Sequence, residues 1–161
     1  MPVISGPAGG VTPVGIVLGL SAQLDYAPVA TRDIAWDQAF DNTADFNPIT
    51  QVPAGLGMTL PINGLSADFT TTISGVWWFS LSLGDLSPDA TLVIAYGQSS
   101  AGLGNIAVFN GGSGGFTPTV PYGEAVYLPS GTTSSFSINT RVAATAATFL
   151  AAPTATIVRL A

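Results

Sequence analysis

From residue 14 onward the chain is a series of short apolar runs separated by turn residues. GIVLGLSAQL comes first and GMTLPI lies around Met58. ADFTTTI, VWWFSLSL, TLVIAYGQ, NIAVF, EAVYL, SSFSINTRV and TATIVRL follow. Between them stand Ser74-Gly75, Gly84-Asp85, Ser87-Pro88-Asp89, Asn110-Gly111-Gly112, Pro129-Ser130-Gly131 and Pro153. Inside the runs the period is two. Trp77, Phe79, Leu81 and Leu83 fall on one face of their run, and Val76, Trp78, Ser80 and Ser82 on the other. Phe136, Ile138, Thr140 and Val142 likewise alternate with Ser135, Ser137, Asn139 and Arg141. This pattern predicts apolar-in, polar-out antiparallel strands, and many such strands with Gly/Pro/Asn/Asp turns predict an all-β sandwich or barrel. The expected core is Phe69, Trp77, Phe79, Leu81, Ile94, Phe136 and Ile138. The one helical candidate is the alanine-rich stretch from Val142 to Ala152. Its threonines and the following Pro153 leave a short turn or a strand equally open.

The first thirteen residues, MPVISGPAGGVTP, break the pattern. Three prolines and three glycines there exclude a regular helix or a central strand. Residues 1–13 therefore read as an extended arm, and residues 14–161 as one domain. The sizeable apolar side chains of the arm besides Met1 are Val3, Ile4 and Val11, the candidate docking residues. The start carries no positively charged n-region, and the run from Val14 to Leu20 is too short to span a bilayer. Synthesis in a cytoplasm without export by the usual route is the expectation.

Charge changes the picture most. Charged residues are 7% of the chain, against about 25% in ordinary soluble domains, while hydrophobic residues are 47%. A surface that low in charge is either covered by small polar residues or buried against other subunits; patches of this kind mark interfaces. The net charge is −6, with three arginines and no lysine. Nucleic-acid binding and docking to anionic lipid both need clustered positive charge, so neither partner is expected.

The chemistry available is narrow. No histidine or cysteine is present. Ser-His and Cys-His catalysis, disulfides and the usual zinc sites are excluded. A carboxylate-pair enzyme would need two of nine acidic residues facing one cleft, with Glu124 the only glutamate. No enzyme activity and no cofactor are expected. Asp33, Asp37, Asp41 and Asp45 recur every fourth residue, which on a helix would stack like charges; Asn42, Asn47 and Pro48 favour a turn-rich acidic loop. DNTADFN lacks the central glycine and closing glutamate of an EF-hand loop. GLGNIA matches G-x-G-x-x-A, but VFNGGSGG follows where a dinucleotide site needs a helix, so it reads as a glycine-rich loop. Trp77 and Trp78 point to opposite faces. Trp77 belongs to the core, and Trp78 either caps the sandwich, meets a neighbouring subunit or stacks on a sugar.

The segment SADFTTTISGVWWFSLSL resembles the centre of the tumour necrosis factor and complement-q head superfamily. Those domains carry a phenylalanine strand, a glycine and an aromatic-x-Phe strand, matched here by Phe69, Gly75, Trp77 and Phe79. GIVLGLSAQ stands where that family has its first strand, IAWDQAFDNTADFN resembles the loop before the centre, and TATIVRL suits the closing strand. GEAVYL is similar to a glycine-acid-x-valine-aromatic-leucine strand, through Gly123, Glu124, Val126, Tyr127 and Leu128. The resemblance spans roughly Val14 to Ala161. It implies a ten-stranded jelly-roll sandwich assembled as a tight homotrimer, with Trp78 and Tyr127 as candidate subunit-interface residues. The chain departs from the animal members in lacking a signal peptide, a collagen stalk, cysteine and lysine. Similar trimeric jelly rolls occur in tailed bacteriophage virions. The resemblance thus implies a virion protein made in the host cytoplasm that decorates or cements the capsid, with the major capsid protein or another virion protein as partner. The alternative is a fibre-tip or receptor-binding jelly roll that recognises a host surface glycan.

Overall fold

The computed structural model describes residues 13–22, 25–26, 31–41, 47–82, 93–99, 105–109, 122–140, 147–148 and 153–161, with side chains described for 13–22, 33–41, 47–82, 123–136 and 153–161. Thirteen strands form in these residues. They are β1 (Val14–Gly19), β2 (Asp25–Tyr26), β3 (Thr31–Asp33), β4 (Gln38–Asp41), β5 (Met58–Thr59), β6 (Phe69–Thr71) and β7 (Gly75–Ser82). β8 (Val93–Ser99), β9 (Asn105–Phe109), β10 (Tyr122–Leu128), β11 (Thr133–Thr140), β12 (Ala147–Thr148) and β13 (Thr154–Arg159) complete the set. One 3-10 turn, Ala54–Leu56, precedes β5.

Two antiparallel five-strand ladders carry the fold. Sheet I has the order β10-β7-β13-β1-β4 and sheet II the order β5-β6-β11-β8-β9, with β3 added to one edge of β11. The chain crosses between the sheets repeatedly, so the first and last strands, β1 and β13, end as direct neighbours paired from Val14↔Arg159 to Gly19↔Thr154. Among the described residues this is a two-sheet jelly roll with eleven strands in its two sheets. A separate small ladder joins β12 to β2.

The inward faces of the sheets meet in one core. Ile16 and Leu18 of β1, Trp77, Phe79 and Leu81 of β7 and Ile157 of β13 are each at most 1% exposed. From the other layer Phe69 and Phe136 face them. Phe136 sits at the centre of an aromatic group, with ring centroids 5.8 Å from Phe69, 6.2 Å from Phe79 and 5.9 Å from Trp36, the last at an edge-on 87°. Edge-to-face and offset rings at these spacings contribute beyond the area they bury, and here they tie sheet I to sheet II. Trp77 also donates from Nε1 to the carbonyl of Leu56 at 2.9 Å, which satisfies its buried polar atom. The side chains of Ile94 and Ile138 lie outside the described residues; their backbones pair in sheet II, Ile138 with Ala95 and Ile94 with Val108.

Three expectations are modified. The segment read as a turn-rich acidic loop is partly strand: Asp33 ends β3, Asp41 ends β4, and Ile34 and Trp36 between them are fully buried. Their alternation with Ala35 and Asp37 is itself period two, hidden by the acidic residues around it. The polar-out reading of β11 fails at Ser135, which is buried along with Ser134 and Phe136 in a strand flanked by neighbours on both edges. Within the alanine-rich stretch, Ala147–Thr148 is a strand, and the remainder lies outside the described residues. After GLGNIA's glycines the chain enters a strand, β9, where a dinucleotide site needs a helix.

Candidate subunit interface

The side of sheet I that faces away from the core is built by the same alternation that fills the core. In β7, Trp77, Phe79 and Leu81 point in, so Val76, Trp78, Ser80 and Ser82 point out. Strand pairing then fixes their neighbours. Trp78 lies opposite Ala125 of β10 and Val158 of β13, and Ser80 lies opposite Gly123 and Thr156. Tyr127 lies opposite Val76, and the Leu160 N–H donates to the Val76 carbonyl at 2.8 Å, extending the row. On the far side Val17 of β1 stands between Thr156 and Phe40.

None of the side chains placed on this face is charged. Among the described residues, five large hydrophobics are exposed, and three of them, Trp78 at 40%, Tyr127 at 61% and Leu160 at 42%, belong to this one face. Scattered exposed apolar residues are ordinary on any protein; three on one uncharged sheet face form a patch. The face is graded along the strands. Tyr127, Val76, Leu160, Trp78 and Val158 form an apolar end, and Ser80, Ser82, Thr154 and Thr156 a hydroxyl-bearing end. The described charges lie elsewhere. Glu124 and Arg159 have the opposite parity in β10 and β13, and the Arg159 guanidinium donates to the Gly55 carbonyl at 3.3 Å.

The acidic series does other work. The Asp37 carboxylate accepts the Ser21 N–H at 2.8 Å and also the Ser21 hydroxyl, closing the turn after β1. Asp41 accepts the Asn47 N–H at 3.2 Å. Asp45 lies outside the described residues, among which no three metal-ligating side chains gather. Also among the described residues, no helix is long and apolar enough to cross a membrane. The arm residues Val3, Ile4 and Val11 lie outside the described residues; Pro13, immediately before β1, is exposed.

The sequence signalled Trp78 and Tyr127 but not the face as a whole. Val158 and Leu160, at the end of the chain, and Val17 and Phe40, near its start, are far from Trp78 and Tyr127 in sequence, and only the sheet order places them together.

The two sheets and their strand order define a jelly roll, and the fold is what the chain shares with known proteins. No protein-family model and no curated protein sequence matches the chain. Solved structures do match in fold. Murine APRIL superimposes with a TM-score of 0.55 at 10% identity, over 92% of this chain and 100% of that one. The PRD1 vertex protein P5 gives 0.55 at 12% identity, over 95% and 99%. The Eiger TNF from S. frugiperda gives 0.50 at 12% identity, over 94% of each.

Proposed function

We propose that the chain is a structural virion protein of a tailed bacteriophage, a homotrimer that decorates or cements the capsid. The observation that carries this reading is the uncharged outer face of sheet I with Trp78, Tyr127 and Leu160 exposed on it. An apolar face on a chain with so few charges is best covered by copies of itself, and three subunits meeting through it would bury the aromatic side chains that make interface anchors. The fold shared with the PRD1 vertex protein P5 supports the virion setting, and the Gly/Pro arm supports attachment to the major capsid protein or another virion protein. A cement protein stabilises a shell by mass action, because it binds the assembled lattice and not free subunits.

Two measurements test this. Sedimentation equilibrium at micromolar concentration should return a trimer; a monomer across that range refutes the assembly. Counting and locating the protein in intact particles should find many copies on the shell. A few copies at the tail would transfer the reading to an adhesion module that recognises a host glycan.

A further inference from the structure

Gly123 stands in the middle of β10, opposite Ser80. Its backbone does not require glycine: the described glycines with positive φ are Gly57, Gly64 and Gly131. A glycine in a strand interior weakens the strand and marks a place where another group approaches closely. Here that group is Trp78. The direct partner of Trp78 on β10 is Ala125, with Gly123 diagonal to it. The indole leans onto the diagonal. A Cβ on Gly123 would overlap Trp78 Cζ2, and would lie 2.6 Å from Cε2 and 3.0 Å from Nε1. The indole therefore fills the volume that a side chain at 123 would take, and 40% of the residue remains exposed on the outer face of sheet I.

We propose that Gly123 is a positioning residue for subunit assembly: its missing side chain lets the Trp78 indole fold down onto β10, where it serves as the anchor a second copy of this chain packs against. The inference rests on the trimer reading above and adds to it the orientation of the anchor. Any side chain at 123 must displace the ring, because Cβ alone already overlaps it. The displaced ring stands up from the sheet, and the close approach of a facing subunit is lost. The core is untouched, since Trp78 belongs to the surface and Trp77, its neighbour, keeps its place inside.

The test compares the unaltered chain, Gly123→Ala, Trp78→Ala and the double variant, each checked for β structure by far-ultraviolet circular dichroism. Sedimentation equilibrium gives the concentration at which half the chains are assembled. Gly123→Ala should raise it at least tenfold in the unaltered background and less than twofold in the Trp78→Ala background, where no ring is left to displace. Acrylamide quenching supplies a second readout. Trp36 and Trp77 are fully buried, so the quencher reports Trp78, and Gly123→Ala should increase quenching in the dissociated subunit. Three outcomes overturn the inference while leaving the trimer standing: no effect of Gly123→Ala, an equal effect in both backgrounds, or misfolding in both. If the unaltered chain sediments as a monomer, the trimer reading fails and this inference goes with it.

Discussion

Trp77 and Trp78 are adjacent in sequence and have opposite fates, because successive side chains of a strand leave on opposite faces. Glycines around them serve three separate purposes. Gly131, in the turn before β11, has φ +83 and open space around its Cβ position. Gly75 has no positive φ, but a Cβ there would collide with the carbonyl oxygen of Ala161 and lie 3.2 Å from the Trp77 ring. Gly123 makes room for Trp78. Substitution by alanine should separate the first two. Gly131→Ala should cost about 1–2 kcal/mol, the price of placing a Cβ in the left-handed region, and Gly131→Asn less. Gly75→Ala should cost more, because the obstacle is backbone that also accepts the Val76 N–H at 2.9 Å. Urea unfolding of both variants checks the order; equal costs would mean that the closing strand gives way easily at Ala161.

At the scale of elements, one end of the sandwich is held by a set of neutral hydrogen bonds between the β6–β7 and β10–β11 turns. The buried Thr71 hydroxyl donates to the Pro129 carbonyl at 2.6 Å and accepts the Thr132 N–H at 3.0 Å. The Thr71 carbonyl accepts the Gly131 N–H at 2.7 Å, and the Ser130 hydroxyl donates to the Thr72 carbonyl at 2.9 Å. Thr71→Val keeps the shape and removes the hydroxyl. It should cost about 1–3 kcal/mol, because buried backbone groups lose a partner. The loss should be the same at pH 5 and pH 8, since no member of the set titrates; a cost that varies with pH would point to a charged partner instead. β3 and β4 were the elements least legible in the sequence. They are short, Asp33 and Asp41 end them, and the Asp-rich spacing outweighs the apolar signal of Ile34 and Trp36. β7 was legible because its run alternates over its length, and β9 and β10 because they are short apolar runs bounded by Gly, Pro and Asn turn residues.

For the whole molecule, the absence of charge on the outer face of sheet I predicts how the assembly responds to salt. Ion-pair interfaces weaken as salt screens them, and an apolar face does not. The dissociation constant of the proposed trimer should therefore change by less than about threefold between low salt and roughly 0.5 M salt, where screening of exposed charges is nearly complete. A steep salt dependence, measured by sedimentation, would place the contact elsewhere. The arm carries a separate expectation. Three prolines and three glycines in residues 1–13 cannot supply a central strand, so deleting them should leave the proposed trimer intact and abolish its proposed attachment to particles lacking the protein. Docking must repay about 1–2 kcal/mol of ordering per fixed residue, and Val3, Ile4 and Val11 are the side chains placed to do it through apolar contact. Equal occupancy by the truncated and full chains would show that the globular domain docks alone.

The sequence by itself determined the class of fold and, in the clearly alternating runs, the side each residue takes. Strand periodicity is local, so Trp77, Phe79, Leu81 and Phe136 could be assigned inward without knowing what they would meet. It also determined that the surface is poor in charge, which is a property of composition. Only the tertiary structure decided which strands lie side by side. Pairing β7 with both β10 and β13, and β13 with β1, places Tyr127, Trp78, Val158 and Val17 on one face although they span more than a hundred residues of chain. The contact between Trp78 and Gly123 was likewise beyond reach of the sequence. A diagonal neighbour across two strands depends on register, and register depends on how the whole core packs, not on any spacing within a strand.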